Sequence, residues 1–484
     1  MFVTKRNGIE IDAEKLVKKD IEQIKEELMV EKKGFDPYGM PGKNASFPIY
    51  RIRKGKNGNK KILVPRFYKS DSVSVTFNWK DIKYKGDEMK GVFSGKLRKP
   101  QLEIVDILEK KLDEIGGGIL CVPPGTGKTV MAINMACRLK KKTLVIVHNK
   151  DLLNQWVERI KMFSTATIGT IRQSTVDTED KDIVIGMLQS LSSRKYPRNI
   201  FKQFGFLIID ECHHIGARTY SRALFKCSTP LILGLSATPT REDGLDEVYY
   251  QTIGPILIKK KIKRKVVVQV DSVYIESDKP CFRYRYMRNG KANVSAMVTS
   301  LTENEERSDM MIRCINAIAK EGRNMLVLSS RRKHVQYLAS RIPNSGIIIG
   351  QMKDEDVKHS LGCQIIIGTY SSVSEGFDCA RLDTLVMTTS KRNIEQTVGR
   401  ILRKAKYSTP PRIIEYVDGI SLFENQFRHR RRFYNSQSDP DYTIKRWYYD
   451  LDSEKKEGGM FGIEWEKRQE QVKKEESGMD TCLL

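Results

Sequence analysis

A glycine-rich stretch between an apolar run and a helical pattern constrains this chain more than any other feature. Residues 118–122 are the apolar run, residues 123–129 read Pro-Pro-Gly-Thr-Gly-Lys-Thr, and the helical pattern covers residues 130–139. A strand that passes through a glycine turn into a helix N-terminus directs backbone N–H groups and the helix dipole at one anion. The stretch therefore predicts a phosphate cradle formed by six residues: Pro124, Gly125, Thr126, Gly127, Lys128 and Thr129.

Lys128 and Thr129 have the chemistry that a nucleoside triphosphate requires. The lysine can reach the outer phosphates, and the threonine hydroxyl can ligate Mg²⁺. The strict pattern G-x-x-x-x-G-K-[ST] begins with glycine, whereas this chain has Val122 at that position. The alternative is a glycine-rich turn with a chance lysine, but the strand before it and the helix after it favour the cradle.

The length and charge of the chain indicate several domains and a polyanionic partner. A chain of 484 residues is too long to fold around one ordinary hydrophobic core, which predicts two or three domains. Lys and Arg number 85 against 60 Asp and Glu, and this net charge of +25 favours nucleic acid through counterion release. An anionic membrane is the weaker alternative, since no apolar run approaches the ~20 residues of a spanning helix.

Nine cysteines are scattered along the chain without a C-x-x-C pair. This spacing argues against a zinc ribbon, and the lack of a visible secretory signal argues against a disulfide framework. The cysteines are therefore expected to be reduced thiols of an intracellular protein.

Two series of alternating apolar runs and helical patterns predict an α/β fold with two parallel sheets. The predicted strands of the first series are residues 118–122, 143–148, 182–187, 205–210 and 231–235. Those of the second are residues 325–329, 363–368, 383–388 and 412–417, with helices at 303–321, 331–341, 393–404 and 423–432. The predicted boundaries are 1–95 for an N-terminal accessory region, 96–258 for the first domain, 259–300 for a basic connecting element, 301–436 for the second domain and 437–484 for a C-terminal tail.

The N-terminal accessory region is predicted to be small and rich in β structure. Residues 47–52 and 62–68 are predicted to be strands across a turn at residues 56–59. Pro48 and Pro65 cannot donate to a ladder, which predicts that both strands lie at the edge of a sheet.

A pair of acidic residues follows the apolar run at residues 206–209. Asp210 at a strand end can hold the Mg²⁺ that bridges the outer phosphates, and Glu211 can polarise the attacking water. The pair therefore predicts nucleotide hydrolysis, with Thr129 and Asp210 as the metal ligands. A chance acidic pair is the alternative, and metal binding by the histidines that follow is disfavoured because no partners stand at suitable spacing.

Four motifs follow one another along the chain: Gly125-Thr126-Gly127-Lys128-Thr129, Asp210-Glu211-Cys212-His213, Ser236-Ala237-Thr238 and Gln396-x-x-Gly399-Arg400-x-x-Arg403. Together they resemble the motifs of helicase superfamily 2, over residues 97 to about 432. Residues 97–101 and 239–244 are similar to the XPB and UvsW branch, and the chain resembles the XPB-like helicases of large eukaryotic DNA viruses. The resemblance implies two RecA-like parallel-sheet domains in tandem, with ATP and Mg²⁺ in the cleft and nucleic acid across both domains.

The resemblance also implies roles for individual residues. The catalytic set would be Lys128, Asp210, Glu211, Gln396, Arg400 and Arg403. Arg98 and Gln101 would read the adenine edge, and Gly376 and Asp378 would lie near the ribose and the cleft. An ordinary helix-start role for Gln101, and an ordinary turn around residue 376, are the alternatives.

Arg400 and Arg403 lie within the predicted helix 393–404, where a spacing of three presents two forked cations on nearly one face. Such cations suit a triphosphate, and from the second domain they would reach it only when the cleft closes. Surface salt bridges are the alternative, which would leave Gln396 and Gly399 unexplained.

The expected contacts with the nucleic-acid backbone are three residues: His148, Asn149 and Thr369. His148 is a departure, because the family usually has a smaller residue there. Residues 186–190 are a further candidate, since a strand ends there in small or polar side chains. Ser236 and Thr238 would couple the state of the γ-phosphate to the grip on nucleic acid.

A basic segment at residues 259–265 is followed by a β-branched stretch and by Phe282-Arg283-Tyr284-Arg285-Tyr286. Cations interleaved with aromatic residues predict contact with nucleic acid, in which the tyrosines stack on an exposed base. The alternative is a solvated surface whose tyrosines pack a small hairpin.

The motifs and the resemblance imply an ATP-dependent helicase or translocase on DNA or RNA, in viral transcription or in DNA repair and recombination. A second hypothesis is a nucleic-acid-stimulated ATPase that remodels or releases protein–nucleic-acid complexes without separating strands. A nuclease subunit of a restriction system is disfavoured, because no nuclease cluster is visible outside the motor. The expected partners are DNA or RNA and the transcription or replication machinery, with no membrane.

Overall fold

The computed structural model divides the chain into two compact units, Met1–Lys261 and Ile262–Leu484. Each unit contains one eight-stranded sheet packed against helices. None of the described helices is long and apolar enough to cross a bilayer. The described residues are 3–5, 8–32, 45–54, 58–70, 85–123, 125–212, 223–227, 229–237, 246–260, 266–350, 352–374, 377, 379–404, 407–436, 440–453 and 458–470.

The N-terminal part of unit 1 consists of two small antiparallel sheets and a helix. Its elements are β1 (Val3–Lys5), β2 (Gly8–Asp12), a 3-10 turn (Ala13–Lys15), α1 (Lys18–Glu27), β3 (Met29–Lys32), β4 (Ala45–Pro48), β5 (Arg51–Lys54) and β6 (Lys60–Val64). The sheet order is β1-β2-β6-β5, with β3 and β4 as a separate pair. Ile9 and Ile24 pack in one cluster with Val248 of a later helix, which attaches this region to the rest of the unit.

Two N-terminal predictions are wrong in detail. Residues 47–52 do not form one strand, because Ala45–Pro48 pairs with β3 while Arg51–Lys54 pairs with β6. β6 lies between β2 and β5 and is therefore not an edge strand. Pro65 comes after the last residue of β6. A proline beyond the strand end removes no ladder hydrogen bond, so it does not indicate whether the strand lies at the edge of its sheet.

The large sheet of unit 1 has the order β10-β9-β11-β8-β12-β13-β7-β14. All neighbours are parallel except β10 and β9. The elements are α2 (Lys99–Ile115), β7 (Gly117–Cys121), α3 (Lys128–Leu139), β8 (Thr143–Val147), α4 (Lys150–Phe163), β9 (Ile168–Arg172), β10 (Thr175–Asp177), β11 (Ile183–Met187), α5 (Leu188–Ser193), a 3-10 helix (Arg198–Gln203), β12 (Phe206–Ile209), β13 (Leu231–Ser236), α6 (Asp246–Ile253) and β14 (Ile256–Lys259).

The central strands of this sheet are buried on both faces. Alternate residues of one strand belong to different clusters: Leu120 packs with Trp156 on one face, and Ile119 packs with Phe204 on the other. Two-sided burial explains why the sequence shows continuous apolar runs there. The predicted parallel sheet is confirmed, and its five predicted strands match the observed ones within one residue at each end.

Unit 2 has a second sheet, of order β17-β18-β16-β19-β20-β15-β21-β22, in which only β21 and β22 are antiparallel. The elements are β15 (Val267–Glu276), a 3-10 turn (Pro280–Phe282), α7 (Val294–Thr302), α8 (Glu305–Ala319), β16 (Met325–Ser329), α9 (Arg332–Arg341), β17 (Ser345–Ile348), α10 (Asp354–Gly362), β18 (Ile365–Thr369), α11 (Tyr370–Ser374), β19 (Thr384–Met387), α12 (Glu395–Val398), β20 (Arg412–Asp418), α13 (Ser421–Ser436), β21 (Asp441–Asp450) and β22 (Ile463–Glu464).

The second parallel sheet is confirmed, but two segments and one helix differ from the prediction. Val267–Glu276 belongs to the sheet, between β20 and β21, whereas the sequence placed it in a connecting element. Asp441–Asp450 also pairs in the sheet, although it was placed in a tail. The helix predicted at 393–404 covers only Glu395–Val398. These pairings join distant parts of the chain, which periodicity within a short window cannot detect.

Candidate nucleotide and nucleic-acid sites

The loop between β7 and α3 has the backbone that a phosphate cradle needs. Gly125 and Gly127 have φ of 75° and 87°, a left-handed region that favours glycine. A Cβ at Gly127 would also clash with the side chain of Gln101. Val122, which replaces the first glycine of the strict pattern, is fully buried and donates its N–H to Ser236 O at 3.2 Å. That position continues the strand pairing, so its side chain fits the core.

Two residues at the start of α2 brace this loop. The Gln101 Nε2 donates to the Thr126 carbonyl at 2.8 Å, and the Arg98 Nη2 approaches the same oxygen at 3.4 Å. The Gln101 Oε1 accepts from the Arg98 backbone N–H at 2.9 Å, which also caps the helix. The structure therefore places Arg98 and Gln101 against the loop, with both ends of the buried carboxamide already in hydrogen bonds.

Lys128 and Glu211 face each other beside the loop. The Lys128 Nζ lies 3.6 Å from the Glu211 Oε1, and the two side chains are 10 % and 24 % exposed. Glu211 has φ of 43°, which is uncommon for a residue with a side chain and marks a backbone held by its surroundings. The predicted cation and the predicted water-polarising carboxylate are therefore neighbours.

Asp210 is buried directly beside this pair. Its Oδ2 accepts the indole Nε1–H of Trp156 at 2.7 Å, and its Oδ1 accepts the Glu211 N–H at 3.0 Å. Burial and the negative charge of Glu211 raise the pKa of Asp210 to about 6, against the opposing effects of Trp156 and Lys128. A buried carboxylate of this kind gains most from a nearby positive charge.

The donor set fits Mg²⁺ bound together with phosphates. Asp210 offers carboxylate oxygens, and Thr129 offers a hydroxyl in the first turn of α3. The part of the chain that the structure describes contains no group of three or more His, Cys, Asp or Glu residues close enough to hold a metal alone. Mg²⁺ commonly takes one or two protein ligands and leaves the rest to water and phosphate oxygens.

The end of β13 lies next to the start of the loop. Ser236 is 1 % exposed, and Cys121 at the end of β7 contacts the Ala237 carbonyl through its Sγ at 3.7 Å. The motif predicted to couple the γ-phosphate state to nucleic acid therefore begins beside the strand that delivers the phosphate loop.

Arg400 and Arg403 converge, but not by the route that the sequence suggested. Helix α12 ends at Val398. Arg400 lies in the turn that follows, and Arg403 lies in the irregular segment after that turn. The Arg400 Nη1 and the Arg403 Nη2 both donate to the Phe377 carbonyl, at 2.6 and 3.0 Å. Gln396 is half-buried within α12. The two cations thus gather on the segment that also carries the residues predicted near the ribose.

Several predicted residues fall outside the described part of the chain. They are Pro124, His213, Thr238, Gly376, Asp378 and residues 261–265 of the basic segment.

The residues predicted to touch nucleic acid lie at the carboxyl ends of parallel strands. Asn149 caps α4 by accepting the Leu152 N–H at 2.7 Å, and the His148 carbonyl accepts from Gln189. In unit 2, the Thr369 Oγ1 lies 2.7 Å from the Ser372 hydroxyl at the start of α11. All three positions occupy the strand ends where ligands of open α/β sheets bind.

The further candidate at residues 186–190 is partly a helix start. Ser190 is 8 % exposed and accepts the Gln173 N–H at 2.9 Å, so its hydroxyl already has a structural role.

Two residues near these sites were missed by the sequence reasoning. Trp156 reads in sequence as an ordinary core position of an amphipathic helix, and only the fold brings it to Asp210. Lys391 is half-buried, with its Nζ 4.7 Å from the centroid of the Tyr370 ring. Burial and the charge of Arg400 lower the pKa of Lys391 to about 8. A lysine after a strand offers no sequence signal for such an environment.

The chain is similar in sequence to several known proteins. The family model "Type III restriction enzyme, res subunit" matches residues 94–241. A protein of Acanthamoeba polyphaga mimivirus named "Putative ATP-dependent RNA helicase" is 34% identical over 418 residues, which are 84% of this chain and 79% of the relative. The chain belongs to helicase superfamily 2. A "Putative helicase" of Invertebrate iridescent virus 6 is 30% identical over 373 residues, covering 71% of this chain and 81% of the relative.

A solved structure shares the fold of this superfamily 2 helicase. It is a fragment of a "putative HsdR subunit of a type I restriction enzyme" from Vibrio vulnificus, with a TM-score of 0.53 and 14% sequence identity over 74% of this chain and 70% of that one. The predictions of tandem RecA-like domains and of an ATP-dependent nucleic-acid helicase or translocase are confirmed at the level of the family.

Proposed function

We propose that this helicase binds ATP with Mg²⁺ on residues 125–129 and hydrolyses it to drive movement along a nucleic-acid strand. The observation that carries the proposal is the approach of Lys128 to Glu211 at 3.6 Å, beside a phosphate loop with two left-handed glycines. Lys128 neutralises the outer phosphates and releases Glu211 to orient the attacking water when nucleotide is present.

Asp210 and Thr129 hold Mg²⁺ in this proposal. The metal, when bound, neutralises charge that develops on the phosphates. Trp156 orients Asp210 through the 2.7 Å hydrogen bond, so that one carboxylate oxygen has a defined direction. Arg98 and Gln101 hold the loop through the Thr126 carbonyl, and they read the adenine edge by exchanging hydrogen bonds from that oxygen to the base.

Arg400 and Arg403 supply cations from unit 2, with Gln396, Gly376 and Asp378 completing that side of the nucleotide site. Their convergence on the Phe377 carbonyl supports a joint role, because two guanidinium groups within reach of one oxygen form a concentrated positive site.

His148, Asn149 and Thr369 contact the backbone of the nucleic acid. Backbone contacts carry no sequence information, so binding is weakly dependent on sequence and falls with salt. RNA is favoured over DNA by the name of the mimivirus relative. The viral relatives also support work inside the infected cell, in viral transcription or in viral DNA repair and recombination, together with the polymerase machinery.

The test is ATP hydrolysis by the full chain with single-stranded RNA, single-stranded DNA or duplex DNA added in turn. A strand-displacement assay with the same substrates runs beside it. We expect single strands to raise the turnover number, RNA most, and partial duplexes to be separated. Stimulation without displacement would support the second hypothesis, a remodelling ATPase. No hydrolysis under any condition, in a protein that binds ATP, would overturn the proposal.

A further inference from the structure

Unit 2 contains a cavity that none of the sites above uses. It has a volume of about 200 Å³ and lies between β15, α13, β21 and the helical residues 465–470. Its walls combine four aromatic side chains with three guanidinium groups: Tyr274, Phe427, Trp447, Trp465, Arg428, Arg431 and Arg446. We call it the arginine–aromatic cavity. The strand-end residues assigned to nucleic acid are not part of its lining.

The arginines of helix α13 differ in position, because one is buried in the core and two line this cavity. Arg430 is 1 % exposed and forms a buried ion pair with Glu415, so it has a structural role. Arg428 and Arg431 are three positions apart, on one face, and both line the cavity. Neither has a carboxylate partner within the described ranges of the chain, and Arg431 lies 5.9 Å from the centroid of the Phe427 ring. Two cations are thus available to an anion.

The third arginine is only loosely neutralised. Arg446 pairs with Glu466 at 2.6 Å, but Glu466 is 62 % exposed, and an exposed pair exchanges readily with another anion. Arg446 also lies 5.8 Å from the Trp465 ring centroid. The acidic residue in the wall, Glu424, accepts the Tyr274 hydroxyl, which holds that ring in place.

The aromatic wall presents ring surface to the cavity. Tyr274 and Trp465 meet edge to face with centroids 5.1 Å apart. The Trp465 Nε1–H is buried and has no acceptor in the described part of the protein. Because this nitrogen has no exposed surface, a ligand in the cavity would meet the ring of Trp465 and not its N–H.

Size and chemistry together define the occupant. A cavity of about 200 Å³ is smaller than the ~300–1,000 Å³ of sites for drug-sized ligands, so it admits one planar ring system. A nucleotide offers a base whose ring face can stack on the aromatic side chains, and its phosphate suits Arg428 and Arg431. An acidic peptide would use the arginines but not the rings.

We propose that the arginine–aromatic cavity binds one nucleotide of a single-stranded nucleic acid, as a subsite of unit 2 separate from the strand ends. The subsite and the function proposed above have only the class of partner, nucleic acid, in common. Base stacking is tolerant of sequence, so the subsite strengthens the grip on any single strand. It adds nothing to the chemistry of ATP hydrolysis.

The subsite is tested by fluorescence anisotropy of a labelled 12-nucleotide oligouridylate with the full chain, without ATP. Trp465→Ala should weaken binding about tenfold, the scale of one lost stacking contact. Trp465→Phe keeps a ring and should lose less. Arg431→Glu should weaken binding more than Arg432→Glu, a matched charge reversal one position along α13 and outside the cavity lining. Thermal unfolding checks that each variant folds.

A crosslinking experiment locates the contact directly. An oligouridylate containing 5-bromouridine, irradiated with the parent protein, should give a peptide adduct that includes Trp465, Phe427 or Tyr274. Adducts confined to other parts of the chain, or equal losses from Arg431→Glu and Arg432→Glu, would overturn the subsite. Stronger competition by polyglutamate than by oligouridylate would assign the cavity to an acidic peptide instead.

The two proposals fail in different ways. Trp465→Ala should leave ATP hydrolysis without nucleic acid unchanged, because the residue is outside the nucleotide site. Parent-like oligouridylate binding by this variant would reject the subsite while ATP hydrolysis stands. If the parent protein hydrolyses no ATP but oligouridylate is still crosslinked to Trp465, the proposed motor is rejected and the subsite stands.

Discussion

The indole Nε1–H of Trp156 donates to the Oδ2 of Asp210 at 2.7 Å, between side chains that are 1 % and 5 % exposed. Trp156 lies in α4, the helix that Asn149 caps at the carboxyl end of β8. The helix whose start is proposed to face nucleic acid therefore also holds the carboxylate proposed to bind the metal. One rigid element connects the two sites within unit 1.

The first prediction concerns this hydrogen bond. Trp156→Phe keeps most of the packing and removes the donor, so Asp210 loses its fixed orientation. We expect the Mg²⁺ concentration for half-maximal ATP hydrolysis to rise about tenfold, the usual effect of losing a partner of a metal ligand. The control is Trp447→Phe, which removes an equivalent indole bond to Asp271 of 2.8 Å in unit 2. Equal Mg²⁺ requirements in parent and Trp156→Phe would contradict the prediction.

The second prediction separates nucleotide binding from hydrolysis. Lys128→Ala should weaken ATP binding, because the cation on the phosphates is lost. Glu211→Gln should bind ATP at least as well as the parent and lose turnover, because an amide does not polarise the attacking water. Binding of a fluorescent ATP analogue and phosphate release measure the two effects. Glu114→Gln, an exposed change at the far end of α2, is the control. Parent turnover by Glu211→Gln would show that another group positions the water.

The third prediction concerns the arginines of unit 2. Arg400→Ala and Arg403→Ala should each lower the turnover number, by up to ~10³-fold, while ATP binding changes little, as expected for cations that act in the transition state. Arg392→Ala, earlier in the same segment and half-buried, should have a small effect. A parallel loss of ATP affinity and turnover in Arg400→Ala would instead indicate a role in ground-state binding.

The fourth prediction concerns Tyr284 and Tyr286, whose ring centroids lie 4.9 Å apart in unit 2. Tyr286 is 67 % exposed and pairs with Ala292 across a short hairpin. An exposed ring can stack on an unpaired base, so the double change to Ala should reduce strand displacement and leave hydrolysis without nucleic acid unchanged. Replacement by Phe keeps the rings and should retain displacement. Full displacement by a folded Ala variant would show that the tyrosines only support the hairpin.

The fifth prediction concerns His334, buried between the hydroxyls of Ser308 and Ser329 at 3.2 and 3.0 Å. Burial, and then the charge of Arg307, lower the pKa of His334 to about 3. Below pH ~6.5 the unfolded chain gains a proton that the folded chain excludes, so the free energy of unfolding falls by up to ~1.4 kcal/mol per pH unit. Stability is therefore lost as the pH decreases from 6.5.

The matching measurement is the thermal unfolding midpoint of unit 2 at pH 7 and pH 5. His334→Gln removes the titrating group and keeps polar contacts with the two serines. Between pH 7 and pH 5, the unfolding midpoint of the parent should fall by about 4–8 °C more than that of the variant. Identical pH dependence in the two proteins would mean that His334 does not titrate on unfolding.

The sequence by itself determined the features that depend on neighbouring residues. The glycines at 125 and 127 are needed where the backbone turns left-handed, and the apolar runs before residues 123 and 210 are central strands buried on both faces. These signals are local, because backbone conformation and two-sided burial leave their mark within a few positions. The glycine turn between β7 and α3 and the two parallel sheets could therefore be predicted.

Only the tertiary structure decided which distant groups meet. Trp156 and Asp210 are 54 positions apart, and Arg403 reaches the Phe377 carbonyl across 26 positions from beyond the end of α12, although the sequence predicted it inside that helix. Val267–Glu276 is drawn into the second sheet by strands on both sides. Such contacts depend on the packing of whole elements, and packing energy is shared among residues that no short window of sequence contains.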